Sequence, residues 1–211
     1  MQNNTSKMVA LLGKIRKQMN GAVLDTFRYY GAKYGMNYGV ALHSLREMAR
    51  EVGCDDDLAH FLYRQQVREL QIIALWIADA EGVTIEQFDH WAAGIINSEI
   101  AEQAAQGLFS KIEQIDTLLE QWCGGENELL AYTALLAASR SEKVSTLSVQ
   151  RAVNESINTF SDNHLAVQGV VALLSSQIAK NRALVEAVLA TLPDNKSAAT
   201  VREEIAWRLE Y

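Results

Sequence analysis

The segment WAAGIINSEIAEQAAQGLF, residues 91–109, decides the fold, because two helical patterns meet inside it. Phe88, Trp91, Ala92 and Ile95 recur at i, i+3, i+4 and i+7, the stripe of a helix with one face in a core. Thr84 followed three residues later by Gln87 forms a capping box ahead of it, with Val83 and Phe88 placed as a hydrophobic staple. Asn97-Ser98 then restarts a helix with the apolar stripe Ile100, Ala101, Ala104, Ala105, Leu108, Phe109 and Ile112. Glu99, Glu102, Gln103 and Gln106 occupy its opposite face. The unit is therefore helix, short corner, helix, with an acidic outer face.

The same grammar continues in both directions. Upstream, amphipathic helices are expected over 5–19, from Ala22 through the aromatics Phe27, Tyr30 and Tyr34, over 40–52, and over 67–80. Asp55, Asp56 and Asp57 are read as the N-cap and first turn of LAHFLYR, since three consecutive carboxylates match no calcium-loop spacing. Downstream, helices are expected over 114–123, 128–139, 146–160, 164–180, 182–192 and 197–211. HLAVQGVVALLSSQIAK, residues 164–180, is apolar nearly all round and is expected to be the most buried of them. Helix pairs thus recur about every 30 to 40 residues, the period of HEAT-class solenoids. The expected fold is all-α: a right-handed superhelical α-solenoid of HEAT-like antiparallel helix pairs, residues 1–211 forming a single domain.

Composition agrees with that class. Nearly half of the 211 residues are apolar and there is one proline, Pro193. No apolar run approaches the length of a membrane span; QIIALWIA is short and flanked by charge. The N-terminus lacks the apolar core and small-residue cleavage site of a secretory signal. Cys54 and Cys123 stand in no redox or metal spacing, and His43, His60, His90 and His164 form no zinc-type pair on one helix. A cytoplasmic protein without metal, cofactor or membrane partner is the expectation.

Charge is unevenly spread. Residues 1–68 carry a formal +4, residues 69–130 carry −11 with Lys111 their lone base, and residues 131–211 are neutral. Nucleic-acid affinity rests largely on neutralised phosphates, so the candidates for backbone contacts are Arg28, Lys33, Arg46 and Arg50, with Arg140 and Lys143 as a thinner second patch. Trp91 lies on an apolar stripe and reads as core, and Trp76, Trp122 and Trp207 likewise read as packing residues, Trp76 with room for partial exposure.

Several blocks resemble the AlkD-like DNA alkylation repair family: YGVALHSLREMAREVG, LAHFLYRQQVRELQIIALWIAD, FDHW, the QxxxxLF ending at Phe109, and VQGVVALLSSQIAKN. These relatives are HEAT-like helical-repeat DNA glycosylases that remove cationic alkylated purines, so the resemblance implies that fold and double-stranded DNA as a partner. It also implies a Trp-Asp-x-x-Asp-Gln pattern in which the second Asp stabilises the sugar cation left as the base departs. In register, that pattern falls on Ser98, Glu99, Ile100, Ala101, Glu102 and Gln103. Glu102 is then the candidate catalytic carboxylate and Glu99 a second candidate. The family's groove-facing basic residue falls on Tyr132, its second Trp on Leu173 and the following Arg on Ser176. An added methylene at Glu102 matters, because a displacement near 1 Å can lower a rate about a hundredfold.

Two readings follow. In the first, the chain is a divergent family member with lost or much reduced glycosylase activity, a helical-repeat scaffold for protein or for weakly held DNA. In the second, it is an active glycosylase that excises 3-methyladenine and 7-methylguanine with Glu102 as its carboxylate.

Overall fold

The computed structural model describes residues 3–29 and 34–210, with Arg28 as backbone only. Among the described residues there are thirteen α-helices and no β-strand, apart from one isolated parallel bridge between Met36 and Val67. The helices gather into two compact units, residues 1–82 with 89–108 and residues 83–88 with 109–211.

In the first unit α1 (Asn4–Lys17), α2 (Gly21–Tyr29), α3 (Leu42–Val52), α4 (Asp56–Tyr63), α5 (Arg68–Ile77) and α7 (Ser98–Gly107) form the frame. The short α6 (Phe88–Ala92) precedes α7. Helices α3, α5 and α7 pack side by side in one layer, and α4 lies behind them against α5 and α1. Nine of the ten residues of α5 are buried; Trp76 alone reaches solvent. Trp91 is fully buried, its ring centroid 4.8 Å from that of Tyr63, whose hydroxyl donates to the Trp91 carbonyl at 2.7 Å. A Cβ on Gly94 would come within 2.5 Å of the Tyr63 ring, so only glycine lets the corner after α6 approach this closely.

In the second unit α8 (Ile115–Cys123), α10 (Thr146–Thr159) and α12 (Arg182–Thr191) form one layer. α9 (Glu128–Arg140), α11 (His164–Ile178) and α13 (Lys196–Glu210) form the other. Phe88, Phe109 and Trp122 close an edge-to-face cluster, with Phe109 and Trp122 centroids 4.9 Å apart. Such pairs add about 0.5–1.5 kcal/mol beyond the area they bury.

Asparagine sets many of the helix starts. Asn3, Asn97, Asn127, Asn163 and Asn181 cap α1, α7, α9, α11 and α12, each side-chain oxygen accepting from a backbone N–H in the first turn. Asp55 caps α4 in the same way, accepting from Leu58 N–H, as expected for the acidic triplet. The Thr84–Gln87 capping box is present, although what it opens is a single 3₁₀ turn, Ile85–Gln87.

Three expectations are corrected. The helix of residues 67–80 stops at Ile77, where Ala78 turns extended. Tyr34 lies outside α2, and Tyr30 falls outside the described residues. α11 is not the most buried helix: seven of its fifteen residues are buried, against nine of ten in α5. One flank of α11, with His164, Gln168, Val171, Ala172 and Ser175, lines an open cleft of about 550 Å³ shared with α13. An all-round apolar pattern reports low polarity, not coverage on every side.

Candidate functional site

The site is built on α7. Asn97 caps the helix through Ile100 N–H, leaving Ser98 exposed on the first turn. Glu99 turns inward. It receives a bidentate pair from Arg68, Nε to Oε2 at 2.7 Å and Nη2 to Oε1 at 2.6 Å, and the Tyr34 hydroxyl donates to it as well. Arg68 is 1% exposed; its Nη1 donates to the Val40 carbonyl and to Glu69, and its guanidinium lies 4.6 Å from the centre of the Phe27 ring. Glu69, wholly buried, in turn accepts from the backbone N–H groups of Tyr38 and Val40. Burial pulls the Arg68 guanidinium toward neutrality, but the Glu99 pair, with Glu69 and Tyr34, outweighs it and holds the charge. Burial, then the Glu99 charge, pushes the Tyr34 phenol far above its ordinary range, so Tyr34 stays a donor. Glu99 is thereby engaged as an acceptor on both of its carboxylate oxygens.

Glu102, one turn further along α7, is exposed. Tyr132, on α9, is 6% exposed, and Leu173, expected on a groove wall, is instead fully buried within the second unit. Ser176 is partly exposed and spends its hydroxyl on the Leu173 carbonyl at 2.7 Å. Of the basic candidates, Lys33 lies outside the described residues, as does the Arg28 side chain. Arg140 is exposed and donates to the Leu136 carbonyl one turn back in α9. Lys143 holds the Lys111 carbonyl at 2.8 Å and Glu113 at 2.6 Å, so its charge is partly answered. Arg50 is exposed on α3.

Arg46 is the best positioned of these cations. Its Nη2 donates to Gln106 Oε1 at 2.9 Å and Gln103 Oε1 at 3.2 Å, and its guanidinium lies over the Trp76 ring, 4.8 Å from the centroid. Trp76 Nε1 donates to the same Gln103 oxygen at 3.3 Å. Gly107 admits the indole, because a Cβ there would sit 2.8 Å from the Leu75 carbonyl and 3.1 Å from Trp76 Nε1. The sequence shows each residue separately, Arg46 as a cation and Gln103 and Gln106 as a polar face. The i, i+3 glutamine pair is the available signal that one guanidinium could be held by both.

A second cluster has no counterpart among the sequence expectations. The His60 and His90 rings lie 4.6 Å apart beside Trp91 and Tyr63, and His90 Nε2 is buried without a hydrogen-bond partner. The two histidines sit on different helices, so no spacing rule joins them. Among the described residues no group of three or more His, Cys, Asp or Glu side chains converges as a metal site would require.

A family described as "DNA alkylation repair enzyme" matches residues 13–206. The structure is similar to one described under "A new family of proteins related to the HEAT-like repeat DNA glycosylases with affinity for branched DNA structures". That likeness has a TM-score of 0.72 at 15% identity over 96% of this chain and 95% of that one, and so establishes a common HEAT-like helical-repeat fold. No curated protein matches the sequence. With the family match covering nearly the whole chain, the protein belongs to the DNA alkylation repair enzyme family.

Proposed function

We propose that this protein is a DNA-binding member of its family without base-excision chemistry, a helical-repeat scaffold whose preferred partner is branched DNA. The observation that carries the reading is the fate of the two positions that align with the family's tryptophans. Ser98 offers no ring, and Leu173 is fully buried. Excision of a cationic purine depends on groups placed where charge develops. Here Glu99 is committed to Arg68, and Ser176 stands where an arginine is expected.

The acidic stretch 69–130 opposes DNA less than its formal charge suggests. Glu69 and Glu99 face Arg68, and Glu113 pairs with Lys143. The affinity for branched DNA in the description of the structural relative supports the choice of partner. The exchange of segments 83–88 and 89–108 between the two compact units supports treating residues 1–211 as one domain.

The test pairs two measurements on the purified chain. Binding to a three-way junction and to duplex DNA across a salt series is expected to show steeply salt-dependent affinity favouring the junction. Incubation with methylated duplex DNA is expected to release no 7-methylguanine. Rapid release would overturn the reading in favour of a glycosylase acting through Glu102, and absence of binding at low salt would redirect the scaffold to a protein partner.

A further inference from the structure

We propose that Arg46, backed by Trp76, is a stacking platform for an unpaired base at a DNA branch point, with Arg50 holding the adjacent phosphate. The inference rests on the DNA-binding reading above and names the surface that does the binding.

The physical argument starts from α5. Its other nine residues are buried, so leaving a tryptophan at the solvent edge forgoes the burial that the rest of the helix obtains. The indole is not idle there, because it supports a guanidinium lying against one face. Gln103 and Gln106 accept from Nη2 and fix its orientation, while Nε is buried with no acceptor. An arginine selected only for stability would be expected to satisfy that Nε. What the arrangement does provide is a flat cation, already oriented, with its second face turned away from the ring. Nucleobases stack on guanidinium planes as they do on aromatic rings, and a weakly hydrated arginine gives up little water in doing so.

The charges on α3 are sorted to match. Arg46 and Arg50 are one turn apart on α3 and so share a flank of that helix, and from that flank Arg46 reaches Trp76 on α5 and Gln103 and Gln106 on α7. Glu47 and Glu51 lie on the opposite flank, in a groove with Lys14 and Lys17 of α1, where Lys14 pairs with Glu51 at 2.6 Å. A phosphate approaching the platform along α3 therefore meets the exposed Arg50 one turn on. Intact duplex offers no free base face away from its ends, but a branch point does. The platform thus selects branches over uniform duplex.

The experiment uses the full chain, a three-way junction carrying 2-aminopurine unpaired at the branch, and a duplex of equal length. With the wild type, 2-aminopurine fluorescence falls on binding and the junction binds more tightly. Arg46→Lys keeps the charge and the stem but removes the plane. It is expected to cut the junction-over-duplex preference about tenfold, within the range of one base stack, and to abolish the fluorescence change. Trp76→Leu is expected to do the same, and Trp76→Phe to retain most of the preference. Arg50→Gln is expected to lower affinity for both DNAs and reduce the salt slope by about 0.9, leaving their ratio unchanged.

If Arg46→Lys, with an unaltered melting temperature, keeps both the preference and the fluorescence change, the platform is refuted while DNA binding stands. If the wild type binds neither DNA at low salt, the DNA-binding reading falls and takes this one with it. Should Trp76→Leu melt early, Arg46→Lys decides alone.

Discussion

At the scale of single residues, the chain stores a buried charge where its sequence shows only alternating polar and apolar letters. Arg68 and Glu69 open α5, and both are buried, with Glu99 completing the pair from α7. Removing one partner from such a group leaves an uncompensated buried charge, which costs about 3–5 kcal/mol. Arg68→Met is therefore expected to lower the stability read from urea unfolding by about that amount, and Glu99→Gln by less, since the amide oxygen still accepts and its side chain is 17% exposed. Equal small losses in both would show the network to be incidental. In the sequence Glu99 reads as a first-turn acid on an exposed face; its tie to Arg68 spans 31 positions, and no local pattern reports a contact of that range.

His90 gives a pH dependence with a definite sign. Burial first, then the neighbouring His60 and Arg64, push its imidazole below the usual 6.5, against a weaker pull from Asp56. The folded state therefore holds His90 neutral where the unfolded chain begins to bind a proton. Its contribution is whole above about pH 6.5 and is lost as pH falls from there toward the depressed folded value. Thermal melting followed from pH 8 to pH 5 is expected to show a decline below about 6.5 that His90→Phe reduces. An identical slope in that variant would assign the decline to other groups.

At the scale of elements, helix starts were far more legible than helix surroundings. Residues 98, 128, 164 and 182 each follow an asparagine, and each begins a helix in the structure. The reason is local: an Asn side chain and an N–H two or three residues on are all the interaction needs. Asn127→Ala, which strips acceptors from Leu129 and Leu130 N–H, is expected to cost about 1 kcal/mol by chemical unfolding, and Asn127→Asp much less. A neutral alanine variant would mean that water replaces the cap. Burial has no such local signature. α11 is apolar on nearly every face yet borders an open cleft with α13, because coverage depends on a helix that starts well beyond its own end in the chain.

At the scale of the whole molecule, the helical periods and the order of the family blocks made the fold and the family readable, and both hold. The candidate site was legible only as an inventory. Arg46, Trp76, Gln103 and Gln106 come from three helices, and nothing in their spacing says that they meet. Formal charge is no better a guide, since a count takes no account of which carboxylates are ion-paired, as Glu113 is with Lys143.

Glu102 is the sharpest probe of what the protein does. A binding scaffold and a glycosylase assign opposite roles to its carboxylate. For a scaffold, an exposed acid on α7 repels nearby phosphate, so Glu102→Gln should tighten DNA binding at low salt. The gain should fade as the screening length shrinks to about 8 Å at physiological ionic strength and less above it. For a glycosylase, the same carboxylate stabilises the developing sugar cation, so Glu102→Gln should leave affinity nearly unchanged and abolish base release. Titrating wild type and Glu102→Gln against the same DNA over a salt series, with released purine measured in parallel, separates the two. The expected outcome is tighter, salt-sensitive binding by the variant and no released base from either protein.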